Sequence, residues 1–109
     1  IQYTPPTGGS MARPGDLDVT CYPNPFNPNI TIELQIPTLH RATADIYNVR
    51  GQLVQQFKIR GSGTNKLSWD AKDLNGRNIS AGLYLLNVSL YGPSGDPRSN
   101  QLIKIIHAK

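Results

Sequence analysis

A chain of 109 residues with 10 glycines and 9 prolines is long enough for one turn-rich domain with a modest core. Its single cysteine excludes an internal disulfide and a multi-cysteine zinc site, and no apolar run approaches the roughly 20 residues of a membrane-spanning helix. The formal net charge is +4, but the 11 lysines and arginines are scattered, which argues against a nucleic-acid surface.

Residues 1–15 contain glycine- and proline-rich dipeptides and have no hydrophobic period. Such stretches are typical of linkers, and part of this one suggests an engineered junction. We therefore expect an interdomain linker over residues 1–15, attached to an N-terminal cargo domain, and a folded domain over residues 16–109. The N-terminus lacks the pattern of a signal peptide, so an export signal is expected elsewhere in the parent protein.

Residues 22–28 have the sequence YPNPFNP, with prolines at alternate positions. Each proline fixes φ, lacks an amide donor and pushes the preceding residue towards an extended backbone. Neither a helix nor a regular paired strand is expected here. We call this segment the proline arm and predict that it is stiff and extended.

Around the arm, apolar and polar residues alternate in short runs bounded by turn residues, without a helical period. A period of two gives one buried and one solvated face, as in antiparallel sandwiches. The pattern predicts seven strands, at Leu17 to Tyr22, Ile30 to Ile36, Arg41 to Tyr47, Gln52 to Ile59, Asn65 to Trp69, Gly82 to Tyr91 and Gln101 to His107. On the fourth strand, Leu53, Phe57 and Ile59 are expected to face the core.

Seven short strands separated by turns predict an all-β, seven-stranded antiparallel sandwich of immunoglobulin-like or fibronectin III-like type. Tyr84, near the start of the sixth strand, is consistent either with a tyrosine corner or with a simple core aromatic. Antibody-type domains pair two cysteines and bury a tryptophan on the third strand. Here Leu86 stands at the second cysteine position and Trp69 lies on the fifth strand, so the similarity is one of architecture only.

The residues that could carry chemistry are dispersed. His40 and His107 are expected at a turn and at a strand end, without the convergent groups that a catalytic or metal site requires. The lone Cys21 has no adjacent residue that would lower its pKa, so it is expected to be a small buried hydrophobe. We therefore expect no catalytic residues, no cofactor and no enzymatic activity in this domain.

A polar cluster at residues 70–76 is the weak candidate for a metal site. Asp70, Asp73 and Asn75 offer oxygen ligands, but the acidic spacing and the closing glutamate of a calcium loop are missing. The pattern favours the alternative, in which these side chains accept hydrogen bonds from backbone amides of their own turn.

Several blocks of the sequence resemble the C-terminal sorting domains of cargo exported by the type IX (Por) secretion system. The proline arm and the strand after it resemble the opening block, and IYNVRGQLV at residues 46–54 resembles the second. WDAKDLNGR and SAGLY, at residues 69–77 and 80–84, match the third and fourth, and Lys104-Ile105-Ile106 resembles the closing strand. The motif residues are Pro23, Asn24, Pro25, Phe26, Asn27, Pro28, Tyr47, Asn48, Gly51, Trp69, Asp70, Gly76, Gly82 and Tyr84. The middle blocks also resemble the immunoglobulin-like domain of the flagellar hook-capping protein.

The resemblance implies a non-catalytic C-terminal module of a larger secreted bacterial protein, often a hydrolase. It implies recognition by the type IX translocon after Sec export to the periplasm, with Lys104, Ile105 and Ile106 as recognition residues. A surface protease is then expected to remove the domain while the cargo is anchored at the cell surface. The alternative that the residues leave open is a structural spacer, or a carbohydrate-binding accessory module of a polysaccharide hydrolase.

Overall fold

The computed structural model describes residues 17–109, so the predicted linker lies outside the described residues. Its strands are β1 (Asp18–Tyr22), β2 (Ile30–Ile36), β3 (Arg41–Tyr47), β4 (Leu53–Ile59), β5 (Gly63–Trp69), β6 (Gly82–Tyr91) and β7 (Pro97–His107). All paired strands are antiparallel, and the described part of the chain contains no helix, hence none that could cross a membrane. The predicted fold class is confirmed.

The seven strands form two sheets. A three-stranded sheet has the order β1-β2-β5, and a four-stranded sheet has the order β4-β3-β6-β7. In constant-type immunoglobulin domains the fourth strand joins the sheet of the first two. Here β4 instead pairs with β3, so the architecture is shared with antibody domains but the sheet assignment is not.

The core lies between the sheets and follows directly from the alternation of the sequence. The buried apolar residues of the central strands are Ile30, Ile32, Leu34, Ile36, Ala42, Ala44, Ile46, Tyr84, Leu86, Val88 and Leu90. Each large side chain among them contributes about 1.5–3 kcal/mol relative to an exposed one, so this face decides the register of the strands.

The fourth strand departs from the prediction. Ile46 pairs with Gln55 while Tyr47 pairs with Leu53, so Val54 is an extra residue in a β-bulge. A bulge shifts the alternation by one position. Val54 is therefore 8% exposed, whereas Leu53 is 39% exposed and the prediction that it faces the core is wrong.

Antiparallel pairing gathers the strand ends at two opposite ends of the sandwich. The ends of β1, β3, β5 and β7 and the starts of β2, β4 and β6 lie together, and we call this the motif end. The other end carries Leu17 and the turns at residues 37–40, 60–62 and 92–96, and we call it the Leu17 end.

Candidate functional site

All the blocks of the resemblance meet at the motif end. The proline arm joins β1 to β2 there, residues 48–52 join β3 to β4, and residues 70–81 join β5 to β6. The end of β7 lies beside them, because Gly82 pairs with His107. The sequence identifies these blocks separately, but their meeting depends on the topology of the sandwich.

The proline arm covers the outer edge of β7. Phe26 N donates to the carbonyl of Ile106 at 2.8 Å, and Phe26 O accepts from Ala108 N at 2.7 Å. The side chain of Asn24 donates through Nδ2 to Lys104 O at 3.0 Å and accepts at Oδ1 from Ile106 N at 3.0 Å. These four bonds satisfy backbone groups that an edge strand otherwise leaves open to pairing with another chain.

An aromatic cluster fixes the arm to both sheets. The buried ring of Phe26 lies 5.6 Å from Trp69 and is stacked on His107 at 5.1 Å. Trp69 also contacts the edge of Tyr84 at 6.2 Å, and its Nε1 donates to Lys72 O at 2.9 Å. Each such aromatic pair contributes about 0.5–1.5 kcal/mol beyond the burial of its area. As predicted, the arm forms no regular strand, and its bridge to His107 is a single residue long.

Tyr84 is both a core aromatic residue and the tyrosine of a tyrosine corner, the two interpretations that its sequence position allows. Its ring is buried in the core, and its hydroxyl donates to the carbonyl of Ser80, four residues upstream, at 2.8 Å. That is the geometry of a tyrosine corner. The Nδ1 atom of His107 lies 3.2 Å from the same carbonyl, so the corner is tied to the end of β7 as well.

The second block forms a tight turn. Asn48 accepts at Oδ1 from the amides of Arg50 and Gln52, both at 3.0 Å. Gly51 has φ of +81°, which a side chain would disfavour. Tyr47 precedes this turn on the outer face of the four-stranded sheet, where it pairs with Leu53.

The polar cluster at residues 70–76 also forms a turn. Asp73 accepts at Oδ1 from the amides of Asn75 and Arg77, both at 2.9 Å, so one of the three side chains forms the bonds that the pattern favoured. Gly76 completes the turn with φ of +81°. Asp70 is exposed, and no group of three or more potential metal ligands occurs within residues 17–109.

The three predicted recognition residues are divided between the core and the surface. Ile105 is fully buried, whereas Ile106 is 44% exposed and Lys104 is also exposed. Across the strands, Ile106 pairs with Leu83 and Lys104 with Leu85. The outward-facing pair therefore lies on the outer face of the four-stranded sheet, next to the proline arm.

Exposed apolar side chains are concentrated at the motif end. Of the seven large hydrophobic side chains that are exposed among the described residues, only Leu39 lies at the Leu17 end. The other six lie in turns and on the outer faces of both sheets at this end, and together we call them the apolar surface: Tyr22, Val49, Leu53, Leu74, Leu83 and Ile106. Sequence reasoning missed this surface because its members come from six different segments, and because the bulge in β4 turns Leu53 outward.

The two remaining candidate residues are Cys21 and His40. Cys21 is partly buried against the core, and this burial raises the pKa of its thiol to about 11. The Nδ1 atom of His40 lies 2.9 Å from Thr38 O, within its own turn. The motif end combines exposed apolar side chains with a hydrogen-bonded backbone.

The family of secretion system C-terminal sorting domains matches residues 20–93 of the 109. The chain belongs to this family. The matched residues of the sorting domain include the proline arm and every block up to Tyr84, and they end before β7. No curated protein sequence matches the chain.

Two solved structures from Porphyromonas gingivalis are similar to the sorting domain. Dimeric latent PorU superimposes with a TM-score of 0.67 and 21% identity, over 84% of this chain and 9% of PorU. PorZ, an essential surface component of the type IX secretion system, superimposes with a TM-score of 0.56 and 25% identity, over 84% of this chain and 11% of PorZ. The chain thus spans about a tenth of the length of each protein, and the similarity to PorU establishes the fold alone.

Proposed function

We propose that this sorting domain directs a larger secreted protein through the type IX translocon, and that the translocon binds the motif end. Membership of the family supports the first part of the proposal. The second part is carried by one observation, the concentration of six of the seven exposed large hydrophobic side chains at that end. Exposed apolar side chains at one end of a domain give a partner apolar area to cover, and removing that area from water is favourable.

The structure around β7 supports a role for Lys104 and Ile106 in recognition. Ile105 anchors the strand in the core, and Asn24 holds the backbone on either side of it. The two outward side chains are therefore presented in a fixed arrangement before a partner binds. Preorganisation of this kind reduces the entropy that binding would otherwise lose.

The wider course of export follows from the resemblance of the sequence blocks. In this proposal the parent protein reaches the periplasm by the Sec route, and the translocon then carries it across the outer membrane. A surface protease removes the domain, and the cargo stays attached to the cell surface or is released. The sorting domain itself acts as a non-catalytic module, whatever activity the cargo domain has.

An export assay tests the proposal. The chain is fused behind a reporter that carries a Sec signal, and the fusion is expressed in a type IX-competent bacterium. We expect the reporter at the cell surface, with the sorting domain removed from it. The double variant Lys104→Ala, Ile106→Ala should leave the reporter in the periplasm, while circular dichroism of the purified domain should report unchanged folding.

The control is Lys66→Ala, Leu39→Ala, which also removes one exposed lysine and one exposed apolar side chain, from the middle of β5 and from the Leu17 end. This control should be exported normally. Periplasmic retention of the unaltered fusion would overturn the export function, and equal export of both double variants would overturn the role of Lys104 and Ile106. Binding of the domain to an insoluble neutral polysaccharide, without export of the fusion, would instead favour an accessory carbohydrate-binding module.

A further inference from the structure

A concave surface at the Leu17 end gathers positive side chains from separate strands. Arg41 in β3 pairs with Tyr91 in β6, and Thr43 pairs with Lys58 in β4, so these four side chains lie on the outer face of one sheet. Together with Arg60 they line a concavity of about 370 Å³. A second concavity of about 400 Å³ adjoins it, since Arg41 and Arg60 line both.

The three cations of this surface form no ion pair with the described part of the protein, and the nearby carboxylate of Asp96, next to Gly95, is paired with Arg98. Within residues 17–109 the ion pairs are Lys66–Glu33 at 4.0 Å and Arg98–Asp96 at 2.7 Å. Neither involves Arg41, Lys58 or Arg60. Cations that are scattered in the sequence thus form a cluster in the fold, and such a cluster attracts anions.

The loop between β6 and β7 leaves room for one of these side chains. Gly95 has φ of +82°, and a Cβ atom on it would lie 3.1 Å from Nη2 of Arg41. A side chain at this position would therefore crowd the guanidinium and strain the backbone. Gly95 also lines the first concavity, so its lack of a side chain keeps the guanidinium accessible from the surface.

We propose that this surface binds a sugar unit that carries a carboxylate or a phosphate group. A guanidinium donates two parallel hydrogen bonds to either oxyanion, and a lysine adds a third charged donor. The ring of Tyr91 provides an apolar wall for one face of a sugar, and Thr43 and Ser62 add hydroxyl groups for its polar edge. The two adjoining concavities are larger than a single carboxylate or phosphate group. We therefore infer that the ligand includes a sugar ring as well as the anionic group.

This inference is independent of the sorting function. The site lies at the end of the sandwich opposite the apolar surface and shares no residue with it. Loss of export and loss of sugar binding can therefore be measured separately.

A titration of the full 109-residue chain tests the proposal. Four probes are added in turn to the 15N-labelled protein: D-glucuronate, glucose 1-phosphate, glucose and sodium phosphate. We expect the two anionic sugars to shift the amide resonances of residues 41–43, 58–60 and 91–95. Glucose should cause no such shifts at the same concentration, and inorganic phosphate should bind more weakly than glucose 1-phosphate.

Variants separate the geometry of the site from net charge. Arg41→Ala, Arg60→Ala should weaken binding of both anionic sugars by about tenfold or more, because two charge-assisted forks are lost. Arg50→Ala, Arg77→Ala removes the same charge from exposed positions at the motif end and should leave binding unchanged. The double variant Arg41→Lys, Arg60→Lys keeps the positive charge but loses the two parallel hydrogen bonds that each guanidinium can donate. It should therefore also weaken binding.

Three outcomes would overturn the proposal. Equal losses in the two arginine-to-alanine variants would mean that net charge alone attracts the probes. Equal affinity for glucose and glucuronate would remove the role of the anionic group, and equal affinity for inorganic phosphate and glucose 1-phosphate would remove the role of the sugar.

Discussion

Asn24 provides hydrogen bonds that a neighbouring strand would otherwise supply to β7. Its amide donates to the carbonyl of Lys104 and accepts from the amide of Ile106. At Phe26 the backbone of the arm pairs with β7, whereas at Asn24, between Pro23 and Pro25, the side chain makes the corresponding two bonds. A carboxamide combines a donor and an acceptor, so one asparagine side chain can bond both to a carbonyl and to an amide of an edge strand.

The first prediction concerns that side chain. Asn24→Ala removes both bonds, so we expect the free energy of unfolding in urea to fall by about 1 kcal/mol or more. Hydrogen exchange at the Ile106 amide should become faster. Asn29→Ala alters an exposed asparagine close to the arm and should change stability by less than about 0.5 kcal/mol. Equal effects of the two variants would show that Asn24 does not hold the edge.

The second prediction concerns Cys21. Burial raises the pKa of its thiol from 9.0 to about 11, so at pH 8 about one thiol in a thousand is ionised instead of about one in ten. Since the thiolate is the reactive form, labelling with a disulfide reagent at pH 8 should be slow in the folded protein and should accelerate in denaturant. Fast labelling of the folded protein would contradict this.

The same shift makes stability depend on pH. Between about pH 9 and 11 the folded state keeps the thiol proton that the unfolded state releases, so stability should fall as the pH rises through this range. The pKa values of Tyr22, Tyr47 and Tyr84 are also raised, the first mainly by a hydrogen bond to Glu33 and the others by burial. Subtracting the pH profile of Cys21→Ala isolates the contribution of the thiol.

At the scale of elements, the alternation of apolar and polar residues predicts regular strands well. It fails where the pairing between two strands is irregular or where a polar segment pairs. The bounds of β2, β3 and β6 agree with the prediction because an uninterrupted period of two has one register that buries its apolar face. The fourth strand was predicted with the wrong inner residue because a bulge depends on the partner strand. β7 begins at Pro97, four residues earlier than predicted, because its polar first half is ordered by pairing with β6.

The third prediction tests the bulge. Val54→Ala should lower the free energy of unfolding by about 1–2 kcal/mol, because it removes buried methyl groups. Leu53→Ala removes more atoms but from an exposed position, so it should cost less than about 0.5 kcal/mol. Urea denaturation of the two variants measures the difference. A larger loss for Leu53→Ala would mean that the alternation continues unbroken through β4.

At the scale of the whole molecule, the fold was predictable from local pattern but the arrangement of surfaces was not. The local sequence of each block predicts its own turn or strand. The contact between Asn24 and Lys104, in contrast, joins residues that are 80 positions apart. The cluster of Arg41, Lys58 and Arg60 likewise forms only when β3 is placed beside β4, because Arg41 begins β3 whereas Lys58 lies at the end of β4 and Arg60 directly follows it. Strand order fixes both arrangements, and it is not encoded in the periodicity of any single segment.

The resulting molecule has two different ends. The motif end combines the apolar surface with the capped edge of β7, and the Leu17 end combines the basic concavity with the point where the described chain begins. A partner bound at the motif end would leave the basic concavity at the Leu17 end uncovered. The two surfaces could then be engaged at the same time without steric conflict.

The last prediction tests this polarity with side chains outside the closing strand. Val49 and Leu74 lie in two turns of the motif end and are 68% and 56% exposed, whereas Leu39 at the Leu17 end is 75% exposed. The test compares the double variant Val49→Ser, Leu74→Ser with the control variant Leu39→Ser. Because none of the three side chains is buried, each variant should change the free energy of unfolding by less than about 0.5 kcal/mol.

In the export assay, however, the double variant should reduce surface display of the reporter, since it removes apolar area that the translocon would cover. The Leu39→Ser fusion should be displayed at the level of the unaltered protein. Equal display of all three proteins, with stability confirmed by urea denaturation, would mean that recognition does not use the apolar surface of the motif end.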